Sequence, residues 1–77
     1  MLEKVIEMIA EHTEVPYGEI TADSRLIGDL ALSSLDLVDI IVRVEDEYGV
    51  MINERQIESL QTVGDVATAL EELISAE

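Results

Sequence analysis

No cysteine occurs in the 77 residues, so disulfides and thiolate metal sites are excluded and the polypeptide brings no thiol nucleophile of its own. Phenylalanine and tryptophan are also absent, and Tyr17 and Tyr48 are the only aromatics. A core must therefore be assembled from Val, Ile, Leu, Met and Ala, which suits helices packed on helices. Basic residues are scarce: four Lys and Arg stand against 18 Asp and Glu, for a formal charge of −14. Nucleic acid and anionic membrane surfaces are excluded as direct ligands, because each requires a basic face. A protein partner with a basic patch is the natural complement. No run is apolar and long enough to span a bilayer. Met1–Ala10 mixes charged and apolar residues and does not read as a signal peptide, so the expected location is the cytoplasm.

What is present is organised around Asp29–Tyr48, where a loop gives way to a strong amphipathic helix. Ser33 has Asp36 three residues on, the pattern of a reciprocal cap in which the Ser33 hydroxyl is taken up by the orphan N–H groups of the first turn. Ser34 has no such duty, and its hydroxyl is free for chemistry at a helix end that favours an attached anion. At about 100° per residue, Leu37, Ile40, Ile41, Val44 and Tyr48 share one face, the expected core stripe. Leu35, Val38 and Val42 form a second stripe, flanked by Asp39, Glu45 and Asp46. That stripe has two readings: a helix buried on two sides, or a docking face that is apolar at its centre and acidic at its rim. Arg43 falls on the remaining side, near Asp36, Asp39 and Glu47.

Leu2, Val5, Ile6 and Ile9 place a first helix over about Leu2–His12. His12, the one histidine, reads as a solvated helix-end residue with neither a catalytic nor a metal-binding role. Glu14–Leu32 is a long connection, interrupted by Pro16 and Gly18, with a short helical turn expected near Ser24–Ile27. Val15, Ile20, Leu26, Ile27 and Leu30 are the residues expected to pin it to the bundle. Gly49 is the stop after the second helix, and Met51 is expected to pack flexibly where a cavity changes shape. Asn53 with Gln56 starts a short third helix to about Ser59. Thr62 with Asp65 caps a final one, with Val63, Val66, Ala67, Leu70, Leu73 and Ile74 as its core stripe. The expected fold is therefore all-α, a four-helix bundle with a long first loop and a short third helix, residues 1–77 forming a single domain.

No glycine-rich phosphate loop, nucleophile elbow or calcium loop is present, and Asp36 and Asp39 have nothing near them to make an acid–base pair. An exposed serine beside a partner-like face suggests a protein that is acted upon rather than an enzyme.

The run Asp29-Leu-Ala-Leu-Ser-Ser34-Leu-Asp-Leu-Val-Asp resembles the phosphopantetheine attachment motif of acyl carrier proteins, whose usual form is Asp-Leu-Gly-x-Asp-Ser-Leu-Asp-x-Val-Glu. The likeness extends over nearly the whole chain. It implies a four-helix bundle with a short third helix and a covalent 4′-phosphopantetheine on Ser34. That arm would be attached by a phosphopantetheinyl transferase using coenzyme A and magnesium. It would carry acyl groups as thioesters between acyl-transfer and synthase enzymes with basic patches, in fatty acid or related lipid biosynthesis. The resemblance further implies partner contacts through Leu35, Asp36, Val38, Asp39, Val42, Glu45 and Asp46, an acyl-chain space lined by Ile52, no resident metal, and a monomer. Ala31 stands where the family has Gly, and Ser33 where it has Asp. Both departures, with Arg43, point to a specialised carrier. The alternatives are a peptidyl or polyketide-type carrier and, from another class, an unmodified acidic helical interaction module.

Overall fold

The computed structural model describes residues 1–75. These form four α-helices: α1 (Leu2–Ala10), α2 (Ser34–Tyr48), α3 (Glu54–Ser59) and α4 (Val63–Ser75), with a single 3-10 turn at Tyr17–Glu19. The expected architecture is the observed one, including the long first loop and the short third helix.

Three of the four helices, α2, α3 and α4, start where side chains satisfy first-turn N–H groups, while α1 follows Met1 with no side-chain cap. Ser33 and Asp36 form a complete capping box at α2, and Asn53 and Gln56 form another at α3. Thr62 and Asp65 exchange the same pair of bonds at α4, the Thr62 N–H donating to Asp65 Oδ2 at 3.1 Å and the Asp65 N–H to Thr62 Oγ1 at 3.2 Å. Gly49 ends α2 at φ +65°, a conformation that glycine adopts without a Cβ penalty.

The core draws on every helix except α3: Val5 and Ile9 from α1, Ile40 and Val44 from α2, and Val63 and Leu70 from α4 are all fully or almost fully buried. Leu37 and Tyr48 pack against it half-buried, as does Ile57 of α3. Ile74, expected in the stripe of α4, lies at its edge and is exposed.

The long loop is ordered by backbone pairing with the start of α4. Leu26 N–H donates to Gln61 O at 2.9 Å, Val63 N–H to Ser24 O at 3.0 Å, and Gly64 N–H to Ala22 O at 2.8 Å. Its far end is tied back to its beginning by Thr13 Oγ1, which donates to Leu30 O at 2.8 Å. Ile20, Leu26, Leu30 and Leu32 are buried and Val15 half-buried, so most of the expected pins hold. Ile27 does not: it is 63% exposed, because it sits in the tight turn where the Asp29 and Leu30 N–H groups both donate to Arg25 O and the chain bends away from the core. Near the expected Ser24–Ile27 the chain makes one turn, over Arg25–Leu30, that is not a helix, and a separate 3-10 turn lies at Tyr17–Glu19, directly after Pro16, whose fixed φ suits entry into a tight turn.

Two further expectations, for His12 and Met51, are corrected, and Arg43 and Glu45 make contacts that the sequence did not indicate. Helix α1 stops at Ala10, so His12 lies beyond it; its side chain is mostly covered and faces α2. Arg43 shares a cleft between α1 and α2 with Glu47 of its own helix and pairs with Glu11, just past the end of α1. Met51 fills no cavity: it is 84% exposed between Val50 and Ile52, which face inward, as alternation in an extended linker requires. Glu45 is half-buried, and its Oε2 accepts the Ile52 N–H at 2.8 Å.

Candidate functional site

The end of the loop and the first turn of α2 place two serines side by side with different surroundings. Ser33 is occupied. Its N–H and Oγ donate to Asp36 Oδ2 at 2.9 and 3.0 Å, and its Oγ accepts the Asp36 N–H at 3.2 Å. Ser34 is the first residue of α2, is exposed and takes no part in these bonds. Its hydroxyl stands at the positive end of a 15-residue helix, where a phosphate ester is electrostatically favoured.

Asp36 is held in its charged form. The Ser33 backbone N–H and then the Ser33 hydroxyl pull its carboxyl below the ordinary value, outweighing partial desolvation, and His12 adds a weaker pull. His12 Nδ1 lies 4.0 Å from Asp36 Oδ1, an electrostatic contact rather than a hydrogen bond. Asp29 is tied to the loop before α2, its Oδ2 accepting the Arg25 N–H at 2.8 Å.

Ala31 lies three residues before Ser34 at φ +54°, the one residue other than glycine in a left-handed conformation among those described. Its neighbours explain why: Leu30 and Leu32 are both buried, and the chain must reverse between them before entering α2.

Beyond Ser34, the second stripe of α2 is open. Leu35 is 77% exposed, Val38 54% and Val42 48%, against near-complete burial of Ile40, Ile41 and Val44 on the opposite side. Of the two readings of this stripe, the helix buried on both sides is therefore ruled out within the described chain. Asp39 and Asp46 are exposed beside it, and Asp36 and Glu45 are half-buried and engaged in internal hydrogen bonds. Ile52 is buried and borders neither of the two clefts cut by the long loop, one lined by Arg25–Gly28, Leu60 and Gln61, the other by His12–Val15 and Asp29–Ala31.

The internal duty of Glu45 and the approach of His12 to Asp36 have no signal in the sequence. Glu45 and Ile52 are seven residues apart with no capping pattern between them, and His12 meets α2 only once α1 and α2 have packed. No group of three or more His, Cys, Asp or Glu among the described residues is arranged to hold a metal ion. No helix among them is long and apolar enough to cross a membrane.

Comparison with known proteins agrees with this geometry. The phosphopantetheine attachment site family matches residues 3–70. The chain is 38% identical to the acyl carrier protein of Thermotoga maritima over 88% of its own length and 84% of that protein. It is 41% identical to the meromycolate extension acyl carrier protein of Mycobacterium leprae over 90% of its length, spanning 60% of that longer chain. Among solved structures, it resembles a putative acyl carrier protein from Mycobacterium tuberculosis with a TM-score of 0.79 at 33% identity, covering 94% of this chain and 97% of that one. The acyl carrier protein of Enterococcus faecalis gives a TM-score of 0.75 at 26% identity, over 99% and 92% of the two chains. The chain therefore belongs to the acyl carrier protein family, non-catalytic carriers that bear acyl groups on a covalently attached 4′-phosphopantetheine arm.

Proposed function

We propose that Ser34 is the attachment residue and that the chain shuttles fatty acyl groups between the enzymes of a specialised lipid pathway. The observation that carries this reading is the division of labour at the start of α2: Ser33 is consumed by the cap, and Ser34 is left exposed with its hydroxyl uncommitted. The residues fit the arm. An exposed hydroxyl can be esterified without disturbing the core, and the unpaired N–H groups and dipole at the start of α2 favour the phosphate that results. When attached, the arm supplies the thiol that the cysteine-free chain lacks, and with it the thioester. The chain's own part is to hold the ester at a rigid helix end and to present a surface that other enzymes read.

That surface is the open stripe of Leu35, Val38 and Val42, with Asp36, Asp39, Glu45 and Asp46 around it. Its partners are a phosphopantetheinyl transferase and acyl-transfer and synthase enzymes that present basic patches. Ile52, buried and bordering neither loop cleft, is the residue against which an acyl chain would shelter, as the family resemblance implies. Residues 1–77 act as one carrier domain, monomeric and cytoplasmic. A fatty acyl cargo is favoured over a peptidyl one by the meromycolate extension carrier among its relatives, and a specialised role by Ala31, Ser33 and Arg43 in and beside the motif.

Incubation with coenzyme A, magnesium and a broad-specificity transferase tests the assignment. Wild type and Ser33→Ala should each gain the mass of one phosphopantetheinyl group, and Ser34→Ala none. Loading of Ser34→Ala at the wild-type level would refute it.

A further inference from the structure

The cleft between the long loop and the α3–α4 junction holds a free cation on a strongly acidic chain. Its walls are joined by backbone pairing: the Leu26 N–H donates to Gln61 O at 2.9 Å, and Arg25 bridges to Thr62. Its volume is about 200 Å³, and its lining of Arg25–Gly28, Leu60 and Gln61 contains no acid. Leu26 is buried at the base, Leu60 is half-buried and Ile27 is exposed. Gly28 has no side chain to fill the space, and a Cβ placed there would lie 3.5 Å from both Cβ and Cδ of Arg25, so the arginine stem runs alongside the glycine. The Arg25 guanidinium is uncommitted. Every hydrogen bond of residue 25 among the described residues is made by its backbone, and the two ion pairs among them are His12–Asp36 and Arg43–Glu11. The cleft also lies near the attachment end of the loop. The Leu32 N–H donates to Leu26 O at 3.1 Å, and Ser34 follows Leu32 within about 7 Å of extended chain.

We propose that this cleft is a subsite for the free carboxylate of a dicarboxylic acyl cargo, with Arg25 binding the carboxylate and Ile27 and Leu60 flanking the last methylenes. The inference rests on the reading of Ser34 as the attachment residue and gives that reading a class of cargo. A chain that ends in a carboxylate cannot shelter as an alkyl chain does. The core of the described residues contains no buried polar or charged side chain, so a carboxylate drawn inside would have no partner, at a cost that keeps it out. Outside, a chain of charge −14 repels it except beside a cation. Arg43 is taken by Glu11, and Lys4 shares its cleft with Glu7, Glu11 and Glu47. Arg25 is free, and its guanidinium matches a carboxylate through two parallel N–H···O bonds. The same negative charge works against a second copy of the chain or an acidic protein at this site, because an exposed ion pair is weak between separate molecules. A cargo on the arm is not a separate molecule. It meets Arg25 at an effective concentration on the order of millimolar, whatever the net charge does to free acids.

The test loads the chain from octanedioyl- or octanoyl-coenzyme A with a broad-specificity transferase, two cargoes of equal length that differ only in the terminal carboxylate. Intact mass with fragmentation first locates the group. Relative to the octanoyl form, the octanedioyl form should shift the Arg25 Nε–H and the amides of Ile27 and Gln61. Arg25→Lys should keep part of that shift and Arg25→Gln none; both variants retain the backbone bonds of residue 25, so the fold is unaffected. A 13C label on the terminal carboxyl gives a second readout. In wild type it should titrate below the same acyl group on free pantetheine, and in Arg25→Gln above it, because only negative surroundings remain; Asp29, on the same turn, is common to both. A wild-type carboxyl that titrates at or above the free value, or shifts that are equal for the two cargoes or that survive in Arg25→Gln, overturns the proposal and leaves Ser34 standing as the attachment residue. A chain that gains no group, or gains it on another residue, overturns both.

Discussion

Replacing Ala31 with glycine should stabilise the domain, although it removes a methyl group and adds backbone freedom. Ala31 is held at φ +54°, where an L-residue's Cβ crowds the carbonyl at a cost of roughly 1–2 kcal/mol. The conformation is enforced from both sides. Leu30 and Leu32 are buried, Leu30 O accepts the Thr13 hydroxyl, and the Leu32 N–H donates to Leu26 O at 3.1 Å, so the residue cannot relax without unmaking these contacts. The Ala31 side chain is itself exposed, and its loss leaves no cavity. Against the relief stands the greater entropy of glycine in the unfolded chain, about 0.4–1 kcal/mol. The two ranges leave a net gain between about 0 and 1.6 kcal/mol, centred on ~0.8 kcal/mol, or a rise in Tm of roughly 3–6 °C at the centre for a domain of this size. Urea melts should show a higher midpoint at unchanged slope, the sign of a pure stability change. Gly49→Ala is the mirror experiment. At φ +65°, with nothing within 4 Å of the added Cβ, it isolates the same backbone strain and should lower stability by about 1 kcal/mol. A Tm for Ala31→Gly that falls, while Gly49→Ala behaves as expected, would refute the claim that Ala31 is strained.

Further outcomes follow from the site. Ser33→Ala should cost about 1 kcal/mol by removing the α2 cap, whereas Ser34→Ala should stay within about 0.5 kcal/mol of wild type in the same melts. Val42→Asp should leave the fold intact and weaken turnover by a partner enzyme, while Val44→Asp should unfold the domain by burying an unpaired carboxylate; the reverse pattern would show the faces of α2 to be misassigned. Asp36 and Asp65 both have folded-state values below the ordinary one, Asp36 through the N–H and hydroxyl of Ser33 and Asp65 through the N–H groups of Gln61 and Thr62. A depressed folded value gives stability that is present above the unfolded value, about 3.9, and is lost as pH falls through the folded one. Stability should therefore be insensitive to these two groups near neutrality and decline below about pH 4. Asp36→Asn and Asp65→Asn should each make that acid limb shallower in melts taken across pH, and an unchanged limb would count against the two caps.

The features legible in the sequence are those whose partners lie within one turn. Ser33–Asp36, Asn53–Gln56 and Thr62–Asp65 each sit three residues apart, so residue type and spacing alone locate the caps. The two faces of α2 are equally local: a rotation of about 100° per residue separates Val42 from Val44. What the sequence hides depends on packing between elements. Ile20 and Ile27 look alike in sequence, but Ile20, directly after the Tyr17–Glu19 turn, is buried, and Ile27, inside the turn at Arg25–Leu30, is exposed. Helical geometry sets Arg43 among the acids of its own helix, yet Glu11, just past the end of α1, claims it. Met51 is thrown into solvent by the alternation of the link after Gly49, and Glu45 is drawn toward the Ile52 N–H, contacts that neither periodicity nor capping spacing encodes. The strain at Ala31 has only one sequence signal, the glycine that the family motif has at that position.

The most direct test of the central claim is the mass of the protein purified from its own host, followed by fragmentation to locate the modified residue. The account predicts a population heavier by one phosphopantetheinyl group, alone or acylated, with the group on Ser34. A group found on Ser33, or a chain that is wholly unmodified while its pathway is active, would contradict it.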